Sequence, residues 1–250
     1  MRVDRPEPAG RCGPPSADRP FIPNGSSRLP RDRPPEAVPP AADVPQTAGY
    51  RATVDAAYRK HAIDEGCARV REIEENVTTP AMRRIEAEDP ARHLAGLEHR
   101  LKGQDRLTEK VTKIMDERGH SAQEAFGVIK DAIRYTFQYN GDRYADGVRA
   151  DCARLKDAGF EPVDLVNSWD KPHYKGINSR WRVPGSGQLF EVQFHTSASF
   201  EAKQETHVAY EKLRVGVPTR IEQRRLELFQ HEVSARVPVP RGTSDIQNYP

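Results

Sequence analysis

GINSRWRV, residues 176–183, and LFEVQFHT, residues 189–196, read as two strands joined by the turn-forming PGSGQ. The second places a carboxylate, an amide and an imidazole at every second position. A strand sends alternate side chains to the same face, so Glu191, Gln193 and His195 share one side while Val192 and Phe194 share the other. Two explanations fit: the solvent side of an antiparallel sheet, or a working face.

Working outward, AIRYTFQY (132–139) is rich in β-branched and aromatic residues and ends on the turn NGD. Residues 143–158 look helical up to Gly159, and PVDLVNSW (162–169) reads as another strand. Before these strands come helical patterns. Over 50–75, Val54, Ala57, Tyr58, Ile63, Val70 and Ile73 recur at amphipathic spacing among strong helix formers. Pro80 and Pro90 mark starts or breaks, and 91–118 reads as a second long helical region. Its stripe is Leu94, Leu97, Leu101, Leu107, Val111, Ile114 and Met115, with Gly103 as an interruption. A short helix over 121–126 has Ser121 as its cap with Glu124 three residues on. After the strands, helices are expected over 199–214 and from Pro218 to about 236. Helices, then β-α-β-β-β, then two helices give an α+β domain whose mixed sheet, of about four to five strands, is flanked by helices.

Composition sets the boundaries. Twelve of the 21 prolines fall within residues 1–45 with few large apolar residues, so 1–48 is expected to be a disordered linker or tail. That leaves 49–237 as one folded domain and 238–250 as a frayed end. No signal-peptide run and no stretch of membrane-span length are seen, so the cytoplasm is the default location and no membrane partner is expected. Export through a partner module, or removal of a signal, stays open. Cys12, Cys67 and Cys152 are too far apart for a disulfide framework or a zinc site. A net charge of +2 from 39 basic and 37 acidic residues does not mark a general nucleic-acid binder, although a local patch remains compatible with it.

Four polar clusters fall on this frame. HRLKGQDRLTEK carries Arg100, Lys102, Arg106 and Lys110 near one end of a predicted helix, either a solvated face or a phosphate clamp. KDAIRYT places Asp131 at the entrance of a strand that bears Arg134. A carboxylate there, beside Glu191 on a neighbouring strand, suits magnesium, which takes one or two carboxylates plus phosphate oxygens. KPHYKGINS offers Tyr174, Lys175 and Asn178 around a glycine; Tyr174 is either a stacking platform for a base or a rim aromatic. EVQFHT leads into a helix with Glu205 and His207.

In this order the clusters resemble the synthetase domain of the RelA/SpoT family, the alarmone synthetases, over about residues 94–214. Arg100 and Lys102 match the family's R-x-K pair and Lys110 a later lysine, which by resemblance hold ATP. Ile133 and Arg134 match its I-R pair, Glu191 and Gln193 its E-x-Q, and Glu205 and His207 the helix that follows. The resemblance implies a nucleotidyltransferase-like fold and transfer of pyrophosphate from ATP to the 3′-hydroxyl of a nucleotide, the (p)ppGpp or (p)ppApp chemistry of the stringent response. It also implies Mg²⁺ on Asp131 and Glu191, with Glu191 helping to deprotonate the acceptor. Gln193 and His195 are then expected to orient the acceptor ribose or its phosphate. The chain departs from the pattern in three places. The family's Asp, five residues before its Arg, falls on Ile129, so Asp131 takes that assignment. The family's stacking Tyr falls on Ile177, leaving Tyr174 as the nearest aromatic, and the Arg of Q-x-R-T falls on His195. The acceptor base is therefore open, and the resemblance leans toward a divergent branch with actinobacterial nucleotide 3′-pyrophosphokinases and toxin-like members. For those a cognate antitoxin is a partner, and tRNA an alternative acceptor, with Arg220, Arg224 and Arg225 as its basic surface. An ADP-ribosyltransferase and a non-catalytic nucleotide sensor are the competing classes.

Overall fold

A computed structural model describes residues 48–249, which lie in one compact unit. The expected proline-rich tail lies outside the described residues. Chain order runs α1 (Ala48–Ile73), a π turn (Glu74–Thr78), α2 (Thr79–Ala87), β1 (Arg92–Leu94), α3 (Gln104–Arg118), α4 (Ala122–Val128) and β2 (Arg134–Tyr139). It continues through α5 (Tyr144–Asp157), β3 (Glu161–Asn167), β4 (Ile177–Arg182), β5 (Leu189–Thr196), α6 (Ser197–Val215) and α7 (Arg220–Ala235). The fold is α+β, as the periodicities predict.

The five strands form one mixed sheet in the order β1-β2-β5-β4-β3. Only β2 and β5 run parallel, Arg134 opposite Glu191 and Thr136 opposite Gln193; the other pairings are antiparallel. The strand carrying the polar alternation is therefore interior to the sheet. Its apolar side supplies the core: Phe137 and Phe194 stack with ring centroids 6.4 Å apart, and Tyr135, Phe190 and Val192 are buried beside them. Helix α5 lies on that side. The Tyr144 hydroxyl donates to the Phe194 carbonyl at 2.7 Å, and Gly147 meets the Tyr139 ring where an added Cβ would stand 2.6 Å from it. Helix α6 covers the polar side, reaching it through Lys203.

Three expectations are corrected. The second helical region holds only from Gln104; before it, Arg92–Leu94 is a strand, Leu97–His99 a 3₁₀ turn, and Leu101 bridges antiparallel to Ile133. The stripe of leucines is real, but Gly96 and Gly103 break it, and the released segment hydrogen-bonds to the start of β2 instead: Lys102 N to Ala132 O at 2.9 Å and Arg134 N to Arg100 O at 2.7 Å. At the start of α1, Val54 and Tyr58 of the predicted apolar stripe are exposed, whereas Ile63, Val70 and Ile73 are buried. Residues 238–249 are not frayed. Leu165 exchanges both backbone hydrogen bonds with Tyr249, and the Asn167 amide donates to the carbonyls of Thr243 and Ile246 at 2.8 and 2.9 Å. Val237, Thr243 and Ile246 are buried there, because the final segment covers the outer edge of β3. Ser121 and Glu124 do form a capping box at α4, as the sequence predicts. Cys67 and Cys152 are free thiols, and among the described residues no helix is long and apolar enough to cross a membrane.

Candidate functional site

The site builds up from the junction of the 100–102 segment with β2. Leu101 bridges antiparallel to Ile133, with Arg100 before it ending the 3₁₀ turn in the right-handed helical conformation and Lys102 after it. Lys110 arrives from the second turn of α3, and Asp131 from the loop between α4 and β2. Asp131 gathers three cations: Lys110 Nζ at 2.6 Å, Lys102 Nζ at 3.2 Å and an Arg134 guanidinium nitrogen at 3.4 Å. Burial alone would raise its pKa, but the hydrogen bond from Lys110 and the charges of Lys102, Lys110 and Arg134 prevail and hold it at about 2.

Arg134 is the bridge. Its Nε lies 3.4 Å from Glu191 Oε1, so one guanidinium stands between the two carboxylates. The Gln193 amide donates to Glu191, and its oxygen accepts from Lys203 Nζ at 2.5 Å. This amide orientation is the one the charges demand, NH₂ toward the carboxylate and oxygen toward the ammonium. One polar chain thus crosses the sheet, from Lys102 and Lys110 through Asp131, Arg134, Glu191 and Gln193 to Lys203. Among the described residues no three His, Cys, Asp or Glu side chains gather as a ligand set. Asp131 and Glu191 are hard oxygen donors of the kind magnesium takes alongside water and phosphate, and in this structure Arg134 stands between them.

Lys203 and Glu74 escaped the sequence reading. Lys203 sits two residues before Glu205 on a helix whose other lysines and arginines are surface groups, so composition gives no reason to single it out. Burial first, then the Arg134 charge, pull its amine down to about 8, against the opposing influence of Glu191. Glu74 looks like one more acid in EIEEN, yet the π turn buries it to 1% exposure and sets it 2.6 Å from Arg100 Nε. A π turn in a sequence of good helix formers is a known companion of functional positions.

Other expected site residues take different places. His195 is corrected: at 0% exposure it cannot touch an acceptor. It lies between the Tyr174 hydroxyl (2.9 Å from Nε2) and Ser199 Oγ (2.9 Å from Nδ1). Burial, then the Lys203 charge, drive its pKa down to about 3, so it is neutral. Tyr174 donates to Asn178 Oδ1 at 2.8 Å, and Asn178 is opposite Gln193 in the β4–β5 register, so both belong to the polar side. The Lys175 ammonium braces its own loop, donating to the carbonyls of Trp169 and Lys171 at 2.9 and 2.7 Å. Glu205 turns away to Arg236, just past the end of α7, at 3.2 Å, and His207 is exposed. Arg220, Arg224 and Arg225 line an open cleft of about 670 Å³ along α7 with Ile221, Leu228 and Phe229, and no member of the polar chain lines it.

No protein-family model matches the sequence, and no curated protein matches it. Solved structures do resemble it. The small alarmone synthetase 1 from Bacillus subtilis is 14% identical over 74% of this chain and 91% of that one, with a TM-score of 0.40. That protein has also been solved with its product pppGpp and with AMPCPP. A GTP pyrophosphokinase family protein from Streptococcus pneumoniae is 16% identical over 76% of this chain and 89% of that one, with a TM-score of 0.41. At 14 to 16% identity their chemistry does not transfer by likeness, and the function of this chain has to be found in its own residues.

Proposed function

We propose that the chain is a magnesium-dependent pyrophosphokinase that moves the β,γ-pyrophosphate of ATP to the 3′-hydroxyl of a nucleotide, making an alarmone of the (p)ppGpp or (p)ppApp type. One observation supports this above the others. Residues drawn from separate stretches of sequence by one chemical pattern, Lys102, Lys110, Asp131, Arg134, Glu191 and Gln193, are joined in a single chain of contacts.

Lys102, Lys110 and Arg134 neutralise the triphosphate and fix it; Arg100, anchored by Glu74, extends the cradle. Transfers of this type depend on positioning and on charge neutralisation more than on covalent chemistry. Asp131 and Glu191 would hold magnesium, which neutralises charge on the leaving AMP when bound. The acceptor 3′-oxygen forms the bond to the β-phosphorus, the bond from that phosphorus to the α,β-bridging oxygen breaks, and the oxygen leaves on AMP. Glu191, oriented by the Gln193 amide, receives the hydroxyl proton. Tyr174 and Asn178 lie beside Gln193 and face the acceptor.

The test is to incubate the pure protein with ATP, magnesium and, separately, GTP, GDP, AMP, ATP or tRNA, and to resolve the products by mass. Expected are AMP and one acceptor heavier by a pyrophosphate, with Glu191→Gln slowing the reaction by about 10²–10⁴-fold, the range for loss of a general base. A heavier tRNA alone moves the protein to the toxin reading. Nicotinamide released from NAD, or a nucleotide response that survives Glu191→Gln without turnover, overturns the proposal in favour of the transferase or the sensor.

A further inference from the structure

On the polar side of the sheet and at its rim, the cations of the 100–102 segment, β2 and β4, with Lys110 of α3, each have a carboxylate within ion-pair distance, Arg182 with Glu161 among them. Arg100 has Glu74, Lys102 and Lys110 have Asp131, Arg134 has both Asp131 and Glu191, and Arg180 has Asp164. Lys203 is the exception. Its ammonium donates to the neutral oxygen of Gln193, and among the described residues no carboxylate oxygen lies within 4.0 Å of it. One flank is closed by the Phe200 ring, whose centroid is 5.4 Å from Nζ. A half-buried cation that meets an amide and an aromatic face, with a second cation nearby in Arg134, is poorly neutralised by the fold itself.

The position of this charge separates it from the ATP cradle. Lys102, Lys110 and Asp131 gather at the start of β2, whereas Lys203 meets Gln193, two residues further along the parallel strand β5 than Glu191 and directly opposite Asn178 of β4. Glu191 and Arg134 lie between the two groups of cations. The cradle has enough charge for a triphosphate without Lys203, and Lys203, unlike the cradle's cations, has no carboxylate within ion-pair distance among the described residues. We propose that Lys203 seats the 5′-phosphate group of the acceptor, so that the protein selects nucleoside 5′-phosphates over nucleosides. The word acceptor rests on the pyrophosphokinase reading; the anion seat itself does not.

The test uses the full chain with the donor pocket filled by α,β-methylene-ATP, which cannot transfer its pyrophosphate. Calorimetric titrations compare GDP with guanosine and ADP with adenosine, in the wild type and in Lys203→Met, which keeps an unbranched apolar chain of similar length and removes the charge. In the wild type the 5′-diphosphate of one base binds more tightly than its nucleoside. Lys203→Met weakens that diphosphate about 10–100-fold, the scale of one hydrogen bond to a charged group, and leaves the nucleoside and α,β-methylene-ATP within about twofold. Lys203→Arg restores most of the preference. The Tm of Lys203→Met stays level or rises, because an unpaired charge has been removed from a half-buried place. A preference that survives in Lys203→Met, an equal loss for α,β-methylene-ATP, or a fall in Tm that accounts for the weakened binding overturns the assignment. If the wild type shows the preference yet releases no AMP with any acceptor, the anion seat stands and the transfer reading falls. If AMP is released and the preference is untouched by Lys203→Met, Lys203 alone is misassigned.

Discussion

His195 shows how a residue chosen for one task can be held for another. With Tyr174 donating to Asn178, the phenol oxygen is left to accept from His195 Nε2–H, and His195 Nδ1 accepts from Ser199. A Cβ at position 176 would stand 2.8 Å from the imidazole Cε1, so Gly176 is needed for the loop to pass this close to the ring. The histidine thus positions Tyr174, and its neutrality has a thermodynamic consequence. The unfolded chain protonates this imidazole near 6.5 and the folded chain resists until about 3. Over that window the unfolded state binds more protons, so stability falls as pH falls, by up to about 1.4 kcal/mol per unit. Urea midpoints measured from pH 7 to pH 4 should show this slope, and His195→Gln should flatten it while lowering stability at pH 7. Asp131, held at about 2 against an ordinary 3.8, adds its own loss only at lower pH, so the two contributions separate on the pH axis.

At the scale of elements, a bridged segment and a helix contact matter most. Residues 100–102 have helix-forming composition, but glycines at 96 and 103 isolate them, and two backbone hydrogen bonds to the start of β2 hold Leu101 against Ile133. Lys102 then reaches Asp131 beside Arg134, while Arg100 turns to Glu74. On the other side of the sheet, α5 approaches closely enough that Gly147→Ala would press a methyl into the buried Tyr139 ring. Gly147→Ala should destabilise by about 1–3 kcal/mol, the usual cost of overpacking, read as a lower denaturant midpoint at unchanged m. Gly127→Ala is the control: nothing stands within 4 Å of that position in α4, so the substitution should be neutral or stabilise by up to about 1 kcal/mol. Equal losses from both would mean that helix propensity, and not the contact with Tyr139, governs position 147.

For the whole molecule, positive charge is local and not global. A net charge of +2 gives little long-range attraction for polyanions, yet Lys102, Lys110, Arg134 and Lys203 lie along one polar chain on the sheet. Raising ionic strength from about 0.05 to 0.5 M shortens the screening length severalfold. ATP affinity is therefore expected to fall about tenfold or more over that range, while Tm, set by the aromatic core, moves little; a nucleotide affinity indifferent to salt would argue against a charge-based cradle.

Sequence periodicity by itself determined the α+β class, the β4–β5 hairpin, the capping box at Ser121 and the shared face of Glu191 and Gln193, because each depends on neighbours a few residues apart. Tertiary structure decided what local spacing cannot encode. The parallel pairing of β2 with β5 put Arg134 between two carboxylates, and the bridge to Ile133 pulled the Arg100 segment out of its helix. Packing buried His195 and Glu74, and left Lys203 with an ammonium that meets an amide oxygen and has no carboxylate within ion-pair distance among the described residues. Charge pairing and desolvation act through space, and a residue's task here follows from which distant side chains arrive beside it.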